Sequence, residues 1–318
     1  MEKILVTGSA GFIGMHLCES LLKDGFVVYG VDNMNDYYST KLKKSRLNRL
    51  KNHKNFSFTE LDISKIENLN NAFNNFKPEK VINLAAQAGV RYSLIDPHIY
   101  ISSNVKGFMN ILELCIKYSV KGLIYASSSS IYGNNKIPFV ENDSSNDPNS
   151  IYAVTKISNE LMARTYYNLY GLNSTGLRFF TVYGPWGRPD MAAYIFANKI
   201  HKNKPIPVFN NGNMKRDFTF ITDIVSGIKS ALVKNYECEI FNLGNGRQES
   251  LLDLISLIEK SLGKKAKIDY QEMQSGDVKV NLADINNARM KLNYNPNIRL
   301  SIGIPKFIEW FKMYKCLL

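Results

Sequence analysis

Short apolar, β-branched runs recur along the chain at residues 4–6, 27–31, 56–61, 81–84, 123–126 and 175–179, and between them apolar residues return at helical spacing. Such alternation predicts an α/β fold, a doubly wound parallel sheet covered by helices on both faces. Ligands of such sheets bind beyond the carboxyl ends of the strands. Those ends carry Gly8, Asp32, Asp62, Ala85-Ala86, Ser127-Ser128 and Phe180-Thr181. After Thr181 the rhythm breaks: glycine, proline and aromatic residues cluster in Tyr183-Gly184-Pro185-Trp186-Gly187-Arg188-Pro189, which reads as a functional loop. Beyond it a helix is expected over 192–202 and a short strand over 206–209. A helix at 224–233 and a strand at 240–243 are expected to rejoin the first sheet, and late helices over 251–262 and 301–314 to follow. The expected organisation is a first domain over 1–180, rejoined at about 224–243, and a smaller discontinuous domain within 181–318.

The first strand runs into Thr7-Gly8-Ser9-Ala10-Gly11-Phe12-Ile13-Gly14, and a helical pattern follows. Glycines in a strand–turn–helix let the chain reverse, let backbone N–H groups approach a pyrophosphate and let the helix pack on its strand. The unpaired N–H groups of the helix start then face the anion. The spacing is G-x-x-G-x-x-G rather than G-x-G-x-x-G, so the glycines alone are a moderate signal. The second strand ends on Asp32, 18 positions past Gly14. A carboxylate there suits the adenosine ribose hydroxyls and repels a 2′-phosphate, which marks a Rossmann-type site for NAD rather than NADP. Asp62, at the third strand's end, is placed to reach the adenine amino group.

Ile151-Tyr152-Ala153-Val154-Thr155-Lys156 opens a helix that ends near Gly171. A spacing of four puts the Tyr152 phenol and the Lys156 ammonium on one face. A phenol with a pKa of about 10 is a poor base at neutral pH, and a neighbouring cation lowers it. The same spacing recurs in Tyr37-Tyr38-Ser39-Thr40-Lys41, so position decides between them. Tyr152 follows the fifth strand, whose end carries Ser127-Ser128-Ser129-Ser130, where a hydroxyl can relay the proton that Tyr152 handles.

Composition narrows the class. Hydrophobic residues at 45% and charged residues at 21% of 318 are those of a globular chain with ample core. No run approaches the roughly 18 apolar residues of a membrane span, and no secretory leader is expected ahead of a glycine turn that begins at residue 8. Cys18, Cys115, Cys238 and Cys316 are scattered and form no C-x-x-C pair, so free thiols, a cytoplasmic location and no metal are expected. The net charge of +12 is dispersed. Its densest run, 41–54, alternates with Leu42, Leu47 and Leu50 and reads as a solvated amphipathic face, not a nucleic-acid or membrane patch. The positive field favours anionic substrates and cofactors.

The glycine spacing, Asn83-Leu84-Ala85-Ala86, the serine run, Tyr152-x-x-x-Lys156 and Arg178-Phe179-Phe180 together resemble the extended short-chain dehydrogenase/reductases of the nucleotide-sugar epimerase group, over nearly the whole chain. Within that group, residues 32–38, 85–93 and 181–191 resemble the UDP-glucuronate 4-epimerases. The resemblance implies hydride removal from C4 of the sugar to NAD while Tyr152 takes the 4-hydroxyl proton, Ser128 assists, and Lys156 holds the nicotinamide ribose and lowers the Tyr152 pKa. The 4-keto sugar then turns and regains hydride on its other face. The implied cofactor contacts are Gly8, Gly11, Phe12, Ile13, Gly14, Asp32, Asn33, Asp62, Ile63, Leu84, Ala85, Ala86 and Asn104, with Tyr152 and Lys156. The implied UDP-sugar contacts are Gln87, Arg91, Ser128, Ser129, Ser130, Thr181, Arg188, Arg216 and Asp277, with a backbone strand over Ile206-Pro207-Val208-Phe209. A homodimer through helices at 102–118 and 152–170 and a role in polysaccharide biosynthesis also follow from it.

Some positions depart from relatives: Asn83 stands where histidine is frequent, Gln274 where glucose-type epimerases carry arginine, and Thr181 where they carry asparagine. The last favours a uronate. Four alternatives share most of these features. A UDP-glucose or UDP-N-acetylglucosamine 4-epimerase is the nearest. A 4,6-dehydratase needs an Asp-Glu pair where Ser129 and Ser130 stand, a decarboxylase would hold the carboxylate differently, and a non-catalytic NAD-binding regulator tends to lose the tyrosine–lysine pair.

Overall fold

The opening apolar run forms β1 (Lys3–Thr7), in which Ile4, Leu5 and Val6 are fully buried. A strand apolar on both sides belongs at the centre of a sheet covered on both faces, where each such side chain contributes about 1.5–3 kcal/mol. The computed structural model describes residues 1–143, 147–274 and 277–316. In chain order the other strands are β2 (Val27–Asp32), β3 (Phe56–Glu60), β4 (Lys80–Asn83), β5 (Gly122–Ser128), β6 (Ser174–Phe179), β7 (Thr181–Tyr183), β8 (Ile206–Phe209), β9 (Lys215–Arg216), β10 (Phe218–Phe220), β11 (Cys238–Leu243), β12 (Glu249–Ser250) and β13 (Ile268–Gln271). The helices are α1 (Phe12–Lys23), α2 (Thr40–Lys51), α3 (Ile66–Phe76), α4 (Pro97–Tyr100), α5 (Gly107–Lys117), α6 (Ile151–Tyr170), α7 (Ala192–His201), α8 (Ile221–Lys234), α9 (Leu251–Leu262), α10 (Asn286–Leu292) and α11 (Leu300–Cys316).

Seven strands form one sheet in the order β11-β6-β5-β4-β1-β2-β3, every pair parallel. The chain winds outward through β2 and β3, then crosses back to β4 and winds the other way. That reversal between β1 and β4 opens a crevice at their carboxyl ends. Thr7 and Asn83 stitch the two strands there: the Thr7 hydroxyl donates to Asn83 Oδ1 at 2.7 Å and accepts the Ala85 N–H at 3.0 Å. Asn83 thus serves the core of the sheet.

The six expected strands and the elements expected after 190 appear within three residues of their expected bounds. β11 lies beside β6 in the large sheet. The two-stranded pairs β7–β10, β8–β13 and β9–β12 form around the other wall of the crevice. α6 is well bounded: Ser150 accepts the Ala153 N–H at 3.1 Å at its start, and Gly171 ends it in the left-handed conformation. The basic run corrects the sequence reading. Along α2, Leu42, Leu47 and Leu50 are buried, but so are Lys43 and Arg46. Two of the seven cations of this run are therefore not solvated.

Candidate active site

A cleft of about 1130 Å³ follows the carboxyl ends of β1, β2, β4 and β5 and continues to β8 and β9. Its first part is built by the glycine turn. Gly8 has φ of +70°, and a Cβ there would lie 2.8 Å from the Ala85 nitrogen. A Cβ on Gly14 would lie 2.1 Å from the Gly8 carbonyl oxygen, so only glycine closes the turn this tightly. α1 begins at Gly11 with no side-chain cap, which leaves its first N–H groups facing the cleft wall formed by Gly11, Phe12, Ile13 and Gly14.

At the end of β2, Asp32 accepts N–H groups from Ala10 (3.2 Å) and Met34 (2.9 Å). Burial is the largest influence and raises its pKa, with Lys43 opposing it. Lys43 is not free to meet a phosphate: its ammonium donates to the Asn35 carbonyl at 2.8 Å and Asn35 Oδ1 at 2.7 Å. A glycine cradle, an uncapped helix start and a buried strand-end carboxylate fit a dinucleotide with an unphosphorylated ribose. Asn33, Asp62, Ile63, Leu84, Ala85 and Ala86 complete this wall. Asp62 is engaged by Ser64 N–H at 2.8 Å and by Asn33 Nδ2 at 3.1 Å.

Asn104 is buried behind cleft-lining Ser103 and Gln87, in a π-helical turn (Ile101–Lys106), and its amide braces the loop after β4: Oδ1 accepts the Gln87 N–H at 2.8 Å and Nδ2 donates to the Gln87 carbonyl at 3.0 Å. Gln87 itself does line the cleft, and its buried Nε2 has no partner within 3.5 Å among the described residues.

Tyr152 and Lys156 face the same cleft from α6. The Lys156 ammonium donates to the Ala126 carbonyl at 2.8 Å and lies 5.8 Å from the centre of the Tyr152 ring. Burial pushes Lys156 down to about 8, against the opposing pull of Glu160. Burial likewise raises Tyr152, offset in part by hydrogen bonding with Ser128 and by the Arg188 charge. Burial therefore outweighs the two groups that favour the phenolate, Ser128 and Arg188.

Ser127 is committed elsewhere, donating to Glu160 Oε1 at 2.5 Å, while Arg178 clasps Glu160 through Nε (2.9 Å) and Nη2 (2.7 Å). Ser128 is thus the first serine available to the cleft. Its hydroxyl accepts from the Ser130 hydroxyl at 2.8 Å, and Ser129 and Ser130 line the wall beside it.

The far end is cationic. Arg91 pairs with Asp277 at 2.7 Å and lies over the Phe209 ring at 4.9 Å. Arg216 donates to the Lys215 and Lys279 carbonyls at 3.0 Å each and lines the cleft. The Val208 side chain is fully buried in the core, which leaves the backbone of β8, the strand expected to hold the uridine diphosphate, for any contact there.

Between the two ends lie Thr181 and Arg188. The Arg188 guanidinium meets Asp190 through Nε–H (3.0 Å to Oδ1) and Nη2–H to Oδ2. Burial acts to lower its pKa, but Asp190 outweighs it and raises the net value. Tyr37 donates to the same carboxylate at 3.3 Å. Tyr37 and Asp190 lie 153 residues apart, so no local pattern in the sequence links them.

The loop before Arg188 is held by α1 as well. His16 Nε2–H donates to the Pro185 carbonyl at 2.9 Å, and burial pushes the imidazole down to about 4 from 6.5. The unfolded chain therefore binds a proton that the folded one refuses, and stability is lost as pH falls from 6.5 toward 4. Between pH 7 and pH 5, wild type should lose on the order of 2 kcal/mol that a His16→Gln variant keeps. Urea unfolding at both pH values measures this, and equal losses in the two proteins would contradict it.

The comparisons with known proteins agree with this geometry. A model of the NAD dependent epimerase/dehydratase family matches residues 4–244. A UDP-glucuronate 4-epimerase of Thermodesulfobacterium geofontis is 46% identical over 313 residues, 98% of this chain and 97% of that protein. The crystal structure of UDP-glucuronic acid 4-epimerase from Bacillus cereus in complex with UDP-glucuronic acid and NAD aligns with a TM-score of 0.93 at 36% identity, covering 98% of this chain and 99% of that one. UDP-glucose 4-epimerase from Thermotoga maritima with UDP-glucose aligns with a TM-score of 0.89 at 32% identity, with the same coverage. With its glycine cradle, strand-end carboxylate and most of its length matched, the chain belongs to the NAD dependent epimerase/dehydratase family.

Proposed function

We propose that this enzyme epimerises UDP-glucuronate at C4 to UDP-galacturonate through a transient 4-keto sugar. The observation that carries the reading is one cleft in which Ser128 and Tyr152 lie between a dinucleotide cradle and the Arg188 guanidinium. Relatives bearing this activity, alike over nearly their whole length, support it. Bound NAD supplies a hydride acceptor and donor for the sugar C4 carbon. Tyr152 takes the 4-hydroxyl proton and returns it, with Ser128 hydrogen-bonded to the same oxygen. Lys156 holds the ribose beside the reacting carbon. Arg188 and Thr181 hold the carboxylate, while Arg91, Arg216, Asp277, Phe209 and the backbone of Val208 hold the uridine diphosphate. Gly8 to Gly14, Asp32, Asn33, Asp62, Ile63 and Leu84 to Ala86 hold the dinucleotide.

The same reading divides the chain into a dinucleotide domain of 1–180, rejoined at about 224–243, and a substrate domain within 181–318. It extends to a homodimer through α5 and α6, whose Met109, Val154, Leu161 and Leu169 are exposed apolar residues, and to a cytoplasmic role in polysaccharide precursor synthesis. No helix among the described residues is long and apolar enough to cross a membrane.

A neutral-sugar 4-epimerase is the second reading, favoured by Asp190, which already holds two Arg188 N–H groups. Purified protein incubated with UDP-glucuronate, UDP-glucose and UDP-N-acetylglucosamine, followed by separation of epimers, decides between them. Turnover confined to UDP-glucuronate is expected, and denaturation of the same sample should release NAD. Turnover of the neutral sugars alone, or release of NADP, overturns the reading.

A further inference from the structure

We propose that Arg46 is a positioning residue for Arg188: it fastens the loop that carries Arg188 to the dinucleotide loop and so sets the preference for a carboxylate-bearing sugar. This rests on the reading of Arg188 given above.

Arg46 lies on α2 and is fully buried, yet it forms no ion pair among the described residues. A buried guanidinium without a carboxylate is costly unless its N–H groups are satisfied. They are satisfied by two loops. Nε and Nη2 donate to the Trp186 carbonyl at 3.1 and 2.7 Å, and Nη2 reaches the Gly187 carbonyl at 3.3 Å. Nη1 turns the other way, to the Ala10 carbonyl at 3.2 Å and the Tyr38 hydroxyl at 2.6 Å. Ala10 lies inside the glycine turn, and its N–H binds Asp32 at 3.2 Å. Trp186 and Gly187 are the two residues immediately before Arg188.

The loop needs such a brace. Trp186 has φ of +63°, a left-handed conformation that a bulky residue keeps only where its surroundings impose it. With His16 on the Pro185 carbonyl, three successive carbonyls ahead of Arg188 are held by side chains of α1 and α2. A planar fork aims donors from three nitrogens at two loops, whereas an ammonium carries three donors on one atom and cannot reproduce the five contacts Arg46 makes. Misplacement of a binding group by about 1 Å can cost on the order of 100-fold, and it costs most where two parallel hydrogen bonds must meet a carboxylate. A neutral sugar makes no such demand on Arg188.

The test uses the full chain loaded with NAD, as Arg46→Lys and Arg46→Met, each alone and combined with Arg188→Ala. Calorimetry gives Kd for UDP-glucuronate and UDP-glucose, alongside bound NAD and melting temperature. Arg46→Lys is expected to weaken UDP-glucuronate about 10- to 100-fold while UDP-glucose changes less than about twofold. In the Arg188→Ala background the same replacement should change UDP-glucuronate affinity less than about twofold, because the two residues act as a unit. Equal losses for both sugars, or losses that multiply in the double variant, overturn the proposal. If Arg46→Met does not fold, Arg46→Lys decides; loss of fold or NAD in Arg46→Lys marks a structural brace and also overturns it. Unchanged sugar preference in Arg188→Ala alone overturns both readings. Preference lost in Arg188→Ala but kept in Arg46→Lys overturns only this one.

Discussion

Replacing Tyr152 with phenylalanine is expected to lower kcat for UDP-glucuronate by about two to four orders of magnitude, the usual scale for a positioned acid–base group. Sugar affinity and melting temperature should barely move. The reason is local: the substitution deletes one hydroxyl, while the ring keeps its edge contact with Tyr100 at 6.0 Å between centroids. Ser128→Ala should cost less, because Ser128 assists without taking the proton. It should also move the rising limb of the pH–rate profile to higher pH, since hydrogen bonding with Ser128 is one of two influences that pull Tyr152 down against burial. Steady-state kinetics with calorimetry on NAD-loaded protein measures all of this. A Tyr152→Phe enzyme within tenfold of wild type would remove Tyr152 from the chemistry.

Arg188→Ala is expected to weaken UDP-glucuronate handling by an amount equivalent to about 2–5 kcal/mol in kcat/KM, the range for truncating one partner of a buried charged pair. UDP-glucose has no carboxylate to lose and should suffer only through the small help Arg188 gives to the Tyr152 phenolate. The structure adds a condition. Asp190 already takes the Nε and Nη2 hydrogens, so the carboxylate must use the remaining edge of the guanidinium or displace Asp190. Arg188→His should, in addition, release some UDP-pentose. Loss of CO2 from a 4-keto uronate needs the carboxylate perpendicular to the carbonyl plane, and a held carboxylate does not turn. Product analysis by chromatography checks this, and equal losses for both sugars would make Arg188 a structural residue.

Much of the site was legible because it is written in local backbone demands. Gly8 and Gly14 stand where only hydrogen fits, Asp32 ends a strand, and Tyr152 and Lys156 share one helical face; each is a relation between residues near in sequence. The strand end that carries Ser128 follows from the periodicity of a sheet buried on both faces, whereas Thr181 opens β7, outside that sheet. The two- and three-residue strands β7, β9, β10 and β12 left no such mark, since they are too short to show a period.

What the chain alone did not decide is which way a charged face turns and which partner a polar group takes. Lys43, Arg46, Leu47 and Leu50 share a face of α2, and the two cations read as solvated until carbonyls at residues 35, 186 and 187 were brought against them. The Asn104 amide is spent on the Gln87 backbone, a pairing across 17 residues that no local pattern shows. Arg188 was legible as a cation in a loop, but the tether of its Asp190 partner by Tyr37, 153 residues away in the chain, was not. Periodicity gives the residues that share a face of a helix; only packing between distant segments fixes where that face points and which donors are already spent.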